Sequence, residues 1–189
     1  KRDRLGTSLP VAIDATCSGL QILAGLAKDE STAHLVNVIP SCKPQDAYKI
    51  VAEESKSNIP QRLRAHWDRK KTKRVVMTIP YNAKPFSNRT YIKEALKDDG
   101  IEIDKEELTQ TVKAVRDAMN VIVPGPMKVM KWIEDEVGKA IKRGVTELKW
   151  KTPSGFVVSQ QLFKKEFERI TLQVLGQCNM KVSTGDTNK

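Results

Sequence analysis

The stretch RKKTKRVVMTIPY, from Arg69 to Tyr81, allows few local structures. Arg69, Lys73, Met77 and Tyr81 recur every four residues, so on a helix they form one nearly straight stripe. The predicted helix runs from Trp67 or Asp68 to Tyr81, with Asp68 near the positive end of the helix dipole. Pro80 lacks an amide hydrogen and its ring clashes with the carbonyl four residues back, so the last turn is expected to loosen or kink. Asn82 suits a left-handed C-terminal cap. Arg69 and Lys73 can hold phosphate, and the Tyr81 ring two turns further on can meet a base or a sugar. The layout is that of a nucleotide-binding helix. For Tyr81 taken alone, core packing is the alternative.

The charge around this stretch is local. The chain carries a formal +10, but residues 56 to 74 hold eight Lys/Arg against one Asp, while residues 94 to 107 hold seven acids against two lysines. Such a basic segment is expected where a chain meets nucleic acid or nucleotide phosphates; a solvated basic face is the alternative. The acidic cluster from Asp98 to Glu107 reads as a solvated turn and helix start.

With 189 residues, 39% hydrophobic and 30% charged, the chain is the size of one large folded domain or a piece of a longer protein. A start at Lys1 and a polar end favour the second. No apolar run approaches the roughly 20 residues that cross a bilayer, so no membrane role is expected. Cys17, Cys42 and Cys178 lack metal-ligand spacing, which argues against a zinc site or a disulfide scaffold and for a reducing compartment. His34 and His66 stand alone and read as structural or solvated.

Along the chain, residues 9 to 14 (LPVAID) read as a buried strand ending in a carboxylate, and Leu20 to Ala27 as a buried helix. Ser41 is the expected N-cap of a helix over 43 to 56. Further helices are expected over 87 to 97, from about Leu108 to a stop at Pro124-Gly125-Pro126, and from Met130 to a C-cap at Gly144. Residues 145 to 163 flank the turn signature Thr152-Pro153-Ser154-Gly155 and read as a β-hairpin, with a further strand over about 168 to 175.

Asp14 is the other candidate for chemistry, because a carboxylate ending a buried strand is costly unless it meets a metal or a donor; capping the next turn is the alternative. Asp14-Ala15-Thr16-Cys17-Ser18-Gly19-Leu20-Gln21 resembles the metal-binding motif of single-subunit DNA-directed RNA polymerases, the phage and mitochondrial type. Arg69 to Lys73, Met77-Thr78 and Tyr81 resemble the second polymerase motif of that family. Weaker likenesses, Pro40-Ser41 with Gln45 to Tyr48, Lys131-Trp132-Ile133 and Trp150 to Phe156, follow in family order over nearly the whole chain.

The resemblance implies an α+β, predominantly helical fold: a polymerase palm edge strand followed by helical fingers, with the β-hairpin in the C-terminal part. Residues 1–30 would be palm and 31–189 an incomplete fingers portion. It implies nucleotidyl transfer from nucleoside triphosphates to an RNA 3′ end by a two-metal mechanism. Asp14 and the Ala15 carbonyl would bind Mg2+; Arg69 and Lys73 would hold the triphosphate; Tyr81 would sense the ribose; Phe86 would lie near the template, with core packing its alternative. Lys70, Lys71 and Arg74, off the stripe, would be solvated or template-facing. Gly19 stands where family A DNA polymerases carry a glutamate that blocks the 2′ hydroxyl, so its small size favours ribonucleotides. A second metal-binding aspartate would lie beyond Lys189, leaving this piece alone inactive. Implied partners are a double-stranded DNA template and promoter, nascent RNA and nucleoside triphosphates, with a monomeric intact enzyme in a phage-infected bacterial cytoplasm or a mitochondrion. A family A DNA polymerase segment and a non-enzymatic basic nucleic-acid-binding helical domain remain alternatives.

Overall fold

Asp68 opens the central helix by accepting hydrogen bonds from the Lys70 and Lys71 amides at 2.9 and 3.4 Å, so α4 spans Arg69–Thr78. A single 3-10 turn, Ile79–Tyr81, follows where Pro80 prevents regular continuation. Asn82 then adopts the left-handed conformation (φ 65°, ψ 30°). Its amide reaches Ile79 O at 2.8 Å and the Ala83 amide reaches Thr78 O at 3.2 Å, the paired bonds of a Schellman stop. The loosened last turn and the asparagine cap are both as the sequence predicts.

The computed structural model describes residues 9, 10, 12, 16–172 and 176–187. It forms two compact units, residues 1–130 and 131–189. The fold is α+β and predominantly helical. The first unit contains α1 (Ser18–Ala27), α2 (Glu30–Leu35), α3 (Ala47–Ser55), α4, α5 (Pro85–Lys97), α6 (Lys105–Ile122) and the start of α7 (Pro124–Lys142). In the second unit β1 (Glu147–Lys151) pairs antiparallel with β2 (Val157–Gln161), and β3 (Phe163–Leu172) with β4 (Gly176–Thr187). Thr152 and Gly155 close the first hairpin, the Gly155 amide reaching Thr152 O at 2.9 Å with φ at +89°.

The core of the first unit forms around α4. Val75, Val76 and Ile79 are buried with Leu20, Val51 and Leu96. Polar ties fix the packing: Thr72 donates to Tyr48 O at 3.0 Å, joining α4 to α3, and buried Trp67 donates to Ser55 Oγ at 3.0 Å. Asp29 caps α2 and also accepts from the Gly125 amide at 3.0 Å, which latches α2 to the first turn of α7. Partial burial opposes ionisation of Asp29, but bonds from Ser31, Thr32 and Gly125 outweigh it and hold the carboxyl at about 2. A Cβ on Gly125 would lie 2.5 Å from that of Asp29, so only glycine permits this approach.

Several expectations need correction. Helix α3 begins at Ala47 with Asp46 as its cap, accepting from the Tyr48 and Lys49 amides; Pro44 keeps the preceding residue out of helical backbone, so Ser41 cannot start it. Pro124-Gly125-Pro126 stops α6 but also starts α7 at once, since proline fits the first helical position. Helix α1 is buried on one face only, with Ile22 and Leu26 exposed. The last predicted strand, over about 168 to 175, overlaps β3 at 168 to 172, its residues 173 to 175 lying outside the described residues; the partner β4 was not foreseen. Most of the predicted strand over 9 to 14, including Val11, Ile13 and Asp14, lies outside the described residues; Leu9, Pro10 and Ala12 are exposed.

Candidate functional site

The stripe on α4 is open along its length. Arg69, Lys73, Met77 and Tyr81 are all exposed, Tyr81 at 69%, while Lys71, Thr72, Val75 and Val76 face the interior. Core packing therefore does not account for Tyr81 within this chain. Phe86, in the first turn of α5, is 77% exposed, so within this chain it is not part of the core either.

The end of the stripe meets the first motif. The Ser18 and Tyr81 hydroxyls lie 3.1 Å apart, within hydrogen-bond distance. A Cβ on Gly19 would come within 2.8 Å of Pro80 Cβ and 3.1 Å of Tyr81 Cε2. Glycine at 19 is thus what lets the tyrosine lie against the start of α1; a larger side chain there must displace Pro80 or Tyr81. Asp14 and Ala15, the expected metal ligands, lie outside the described residues. Among the described residues no cluster of His, Cys, Asp and Glu could hold a metal.

At the other end, Arg69 Nε donates to Asp46 Oδ2 at 2.5 Å and the guanidinium lies 5.2 Å from the centre of the Tyr48 ring. These groups, with Thr16, Cys17 and Asn37, line a cleft of about 290 Å³. Burial pushes the Cys17 thiol up. Burial, with Cys17 beside it, likewise raises the Tyr48 phenol. One turn beyond Arg69, Lys73 is exposed, and no carboxylate among the described residues pairs with it.

Of the off-stripe cations, Lys71 is not the solvated or template-facing group expected, while Lys70 and Arg74 are exposed as expected, though each is ion-paired. Lys71 is 3% exposed and ion-paired to Asp99 and, at 3.3 Å, to Asp68. Lys70 pairs with Asp99 at 3.0 Å. Arg74 reaches Glu94 at 2.5 Å and lies 4.2 Å from the centre of the Tyr91 ring. Arg62 grips Glu107. The acidic segment is the exposed turn and helix start expected, with two of its acids engaged by the basic segment: Lys71 and Lys70 hold the Asp99 carboxyl at about 2, and Arg62 lowers that of Glu107.

Sequence reading missed Ser18 and Asp46. Ser18 adjoins Gly19 and could have been found from that adjacency; Asp46 carries no local signal of its partner Arg69, which lies 23 positions away.

A family model of DNA-dependent RNA polymerase matches residues 2–188. The chain belongs to the phage-type DNA-dependent RNA polymerase family. It is 29% identical to the DNA-directed RNA polymerase of Enterobacteria phage K11 over 93% of this chain and 25% of that protein. With T7 RNA polymerase of Escherichia phage T7 it shares 28% identity over 96% of this chain and 27% of that protein. A mitochondrial DNA-directed RNA polymerase 1B of Nicotiana tabacum is 29% identical over 87% of this chain and 19% of that protein. The chain thus spans about a quarter of the length of these phage relatives. No helix among the described residues of this polymerase segment is long and apolar enough to cross a membrane.

Proposed function

We propose that this chain supplies part of the catalytic centre of an RNA polymerase that extends RNA on a DNA template from nucleoside triphosphates. The observation that carries this is the contact between the two motifs, Ser18 and Gly19 lying against Pro80 and Tyr81. It sets the end of the exposed stripe of α4 beside the start of α1, four residues after Asp14 in the sequence.

Lys73, exposed and without an acid partner among the described residues, offers a compact charge to a triphosphate. Arg69 forms the far end of that cradle, held in place by Asp46 and Tyr48. Tyr81 presents its hydroxyl to the sugar, with Gly19 keeping the ring close to α1. Phe86 offers an exposed ring for stacking on a template base. The Asp14 carboxylate and Ala15 carbonyl are hard oxygen donors of the kind Mg2+ takes. Bound there, the ion would lower the pKa of the attacking hydroxyl and offset charge on the departing pyrophosphate. In this reading residues 1–30 belong to the palm and 31–189 to the fingers, and the intact enzyme binds promoter DNA as a monomer.

In the intact polymerase, Asp14→Asn is expected to abolish RNA synthesis while DNA binding in a gel-shift assay is largely kept. Undiminished synthesis would remove Asp14 from the centre. Tyr81→Phe is expected to raise deoxynucleotide incorporation relative to ribonucleotide incorporation, and an unchanged ratio would count against the sugar-sensing role.

A further inference from the structure

We propose that Arg116 is a positioning residue that fixes Tyr81 through the connector between α4 and α5, and so sets sugar selection. The proposal rests on the reading of Tyr81 given above.

The connector, residues 82–84, is short and lies between the two exposed rings, Tyr81 and Phe86. Its first half is the Schellman stop, in which Asn82 holds a left-handed backbone. Arg116 comes from α6 and spans it: one terminal nitrogen donates to Ala83 O at 3.1 Å and to Asn88 Oδ1 at 2.9 Å. Ala83 ends the stop, and Asn88 lies in the first turn of α5, its amide bonded to Lys84 O at 3.2 Å. A single guanidinium thus ties both ends of the connector to a third helix, and a charge-assisted donor gives these bonds more strength than neutral groups would.

Asn88 supports a positioning role over a purely stabilising one. Its side chain is fully buried, yet Nδ2 has no partner among the described residues. An unpaired buried amide costs about 1–3 kcal/mol, so an apolar residue of that size would favour stability alone. What asparagine adds is the Oδ1 that orients Arg116. Close packing makes the placement matter, because Pro80 and Tyr81 already press on Gly19 at distances with no room for a methyl group.

The test uses the intact polymerase with Arg116→Met, Arg116→Lys and Asn88→Leu. Methionine keeps the aliphatic stem and removes both bonds. It is expected to lower the ribonucleotide to deoxynucleotide incorporation ratio by about 10-fold, through kcat for ribonucleotides more than KM. Lysine, able to reach one oxygen at a time, should recover part of the ratio, and Asn88→Leu should lower it less than Arg116→Met. Hydrogen exchange at the Asn82 and Ala83 amides should quicken in Arg116→Met. Unchanged exchange would overturn the brace. Faster exchange with a wild-type ratio, in an enzyme where Tyr81→Phe does shift the ratio, would overturn the link to sugar selection. If Tyr81→Phe itself has no effect while exchange quickens, the brace stands and the sugar-sensing reading of Tyr81 falls.

Discussion

Helix α4 carries positive charge on two faces that end in opposite states. On one, Lys70, Lys71 and Arg74 are consumed by Asp99, Asp68 and Glu94. On the other, Lys73 stands exposed between Arg69 and Met77, and no acid among the described residues pairs with it. A basic segment is therefore a poor guide to where a polyanion binds; what counts is the charge left over after the chain has neutralised itself. Part of the excess in residues 56 to 74 is answered by Glu94, Asp99 and Glu107 of the acidic segment and part by Asp46, and Lys73 is a cation that no carboxylate among the described residues pairs with.

The largest effect should come from removing that residual charge. Lys73→Met is expected to lower kcat/KM of the intact polymerase for nucleoside triphosphates by about 10²- to 10³-fold, the scale of losing one preorganised electrostatic group. Stability should stay within about 0.5 kcal/mol, as for an exposed site without partners. The comparison breaks if Lys73→Met unfolds the protein at lower urea while leaving kcat/KM intact.

Lys71→Met, two positions away, should do the reverse. The aliphatic stem is kept and the buried ammonium removed, so Asp68 and Asp99 lose a partner. Complete rupture of a buried pair costs about 3–5 kcal/mol, but Asp99 retains Lys70 and is partly exposed. A loss of about 1–2 kcal/mol in urea unfolding follows, with kcat/KM changed less than in Lys73→Met. Equal kinetic damage from both variants would mean that the two faces do not divide the work.

How much of this was legible follows from the range of each signal. The limits of α4 were, because Asp68, Pro80 and Asn82 act on their own neighbours through capping, a missing amide and a left-handed backbone. The hairpin around Thr152 to Gly155 was legible for the same reason. The fate of each cation was not: periodicity places Lys71 off the stripe but cannot show that Asp99, 28 positions later, covers it. The start of α3 was misplaced because Ser41 and Asp46 are both good caps, and Pro44 between them decides. For the site, the four-residue spacing revealed the exposed stripe, whereas the contact of Gly19 with Pro80 and Tyr81 depends on a chain reversal that no local pattern encodes.

The smallest effect concerns acid. The folded Asp99 carboxyl is held at about 2 by Lys71 first and Lys70 second, below its ordinary 3.8. A depressed carboxylate contributes stability that is full above the unfolded value and is lost as pH falls through the folded one. Asp99→Asn should therefore be less stable than the parent protein from about pH 4 upward, and the gap should narrow between about pH 4 and pH 2 as the parent carboxyl becomes protonated. Glu107 is also lowered, by Arg62, but it is present in both proteins and cancels in the difference. Urea midpoints at pH 6, 4 and 2 test this. A gap that persists undiminished at pH 2 would show that Asp99 acts by packing and not by charge, and the paired face of α4 would then differ from the open one in shape, not in electrostatics.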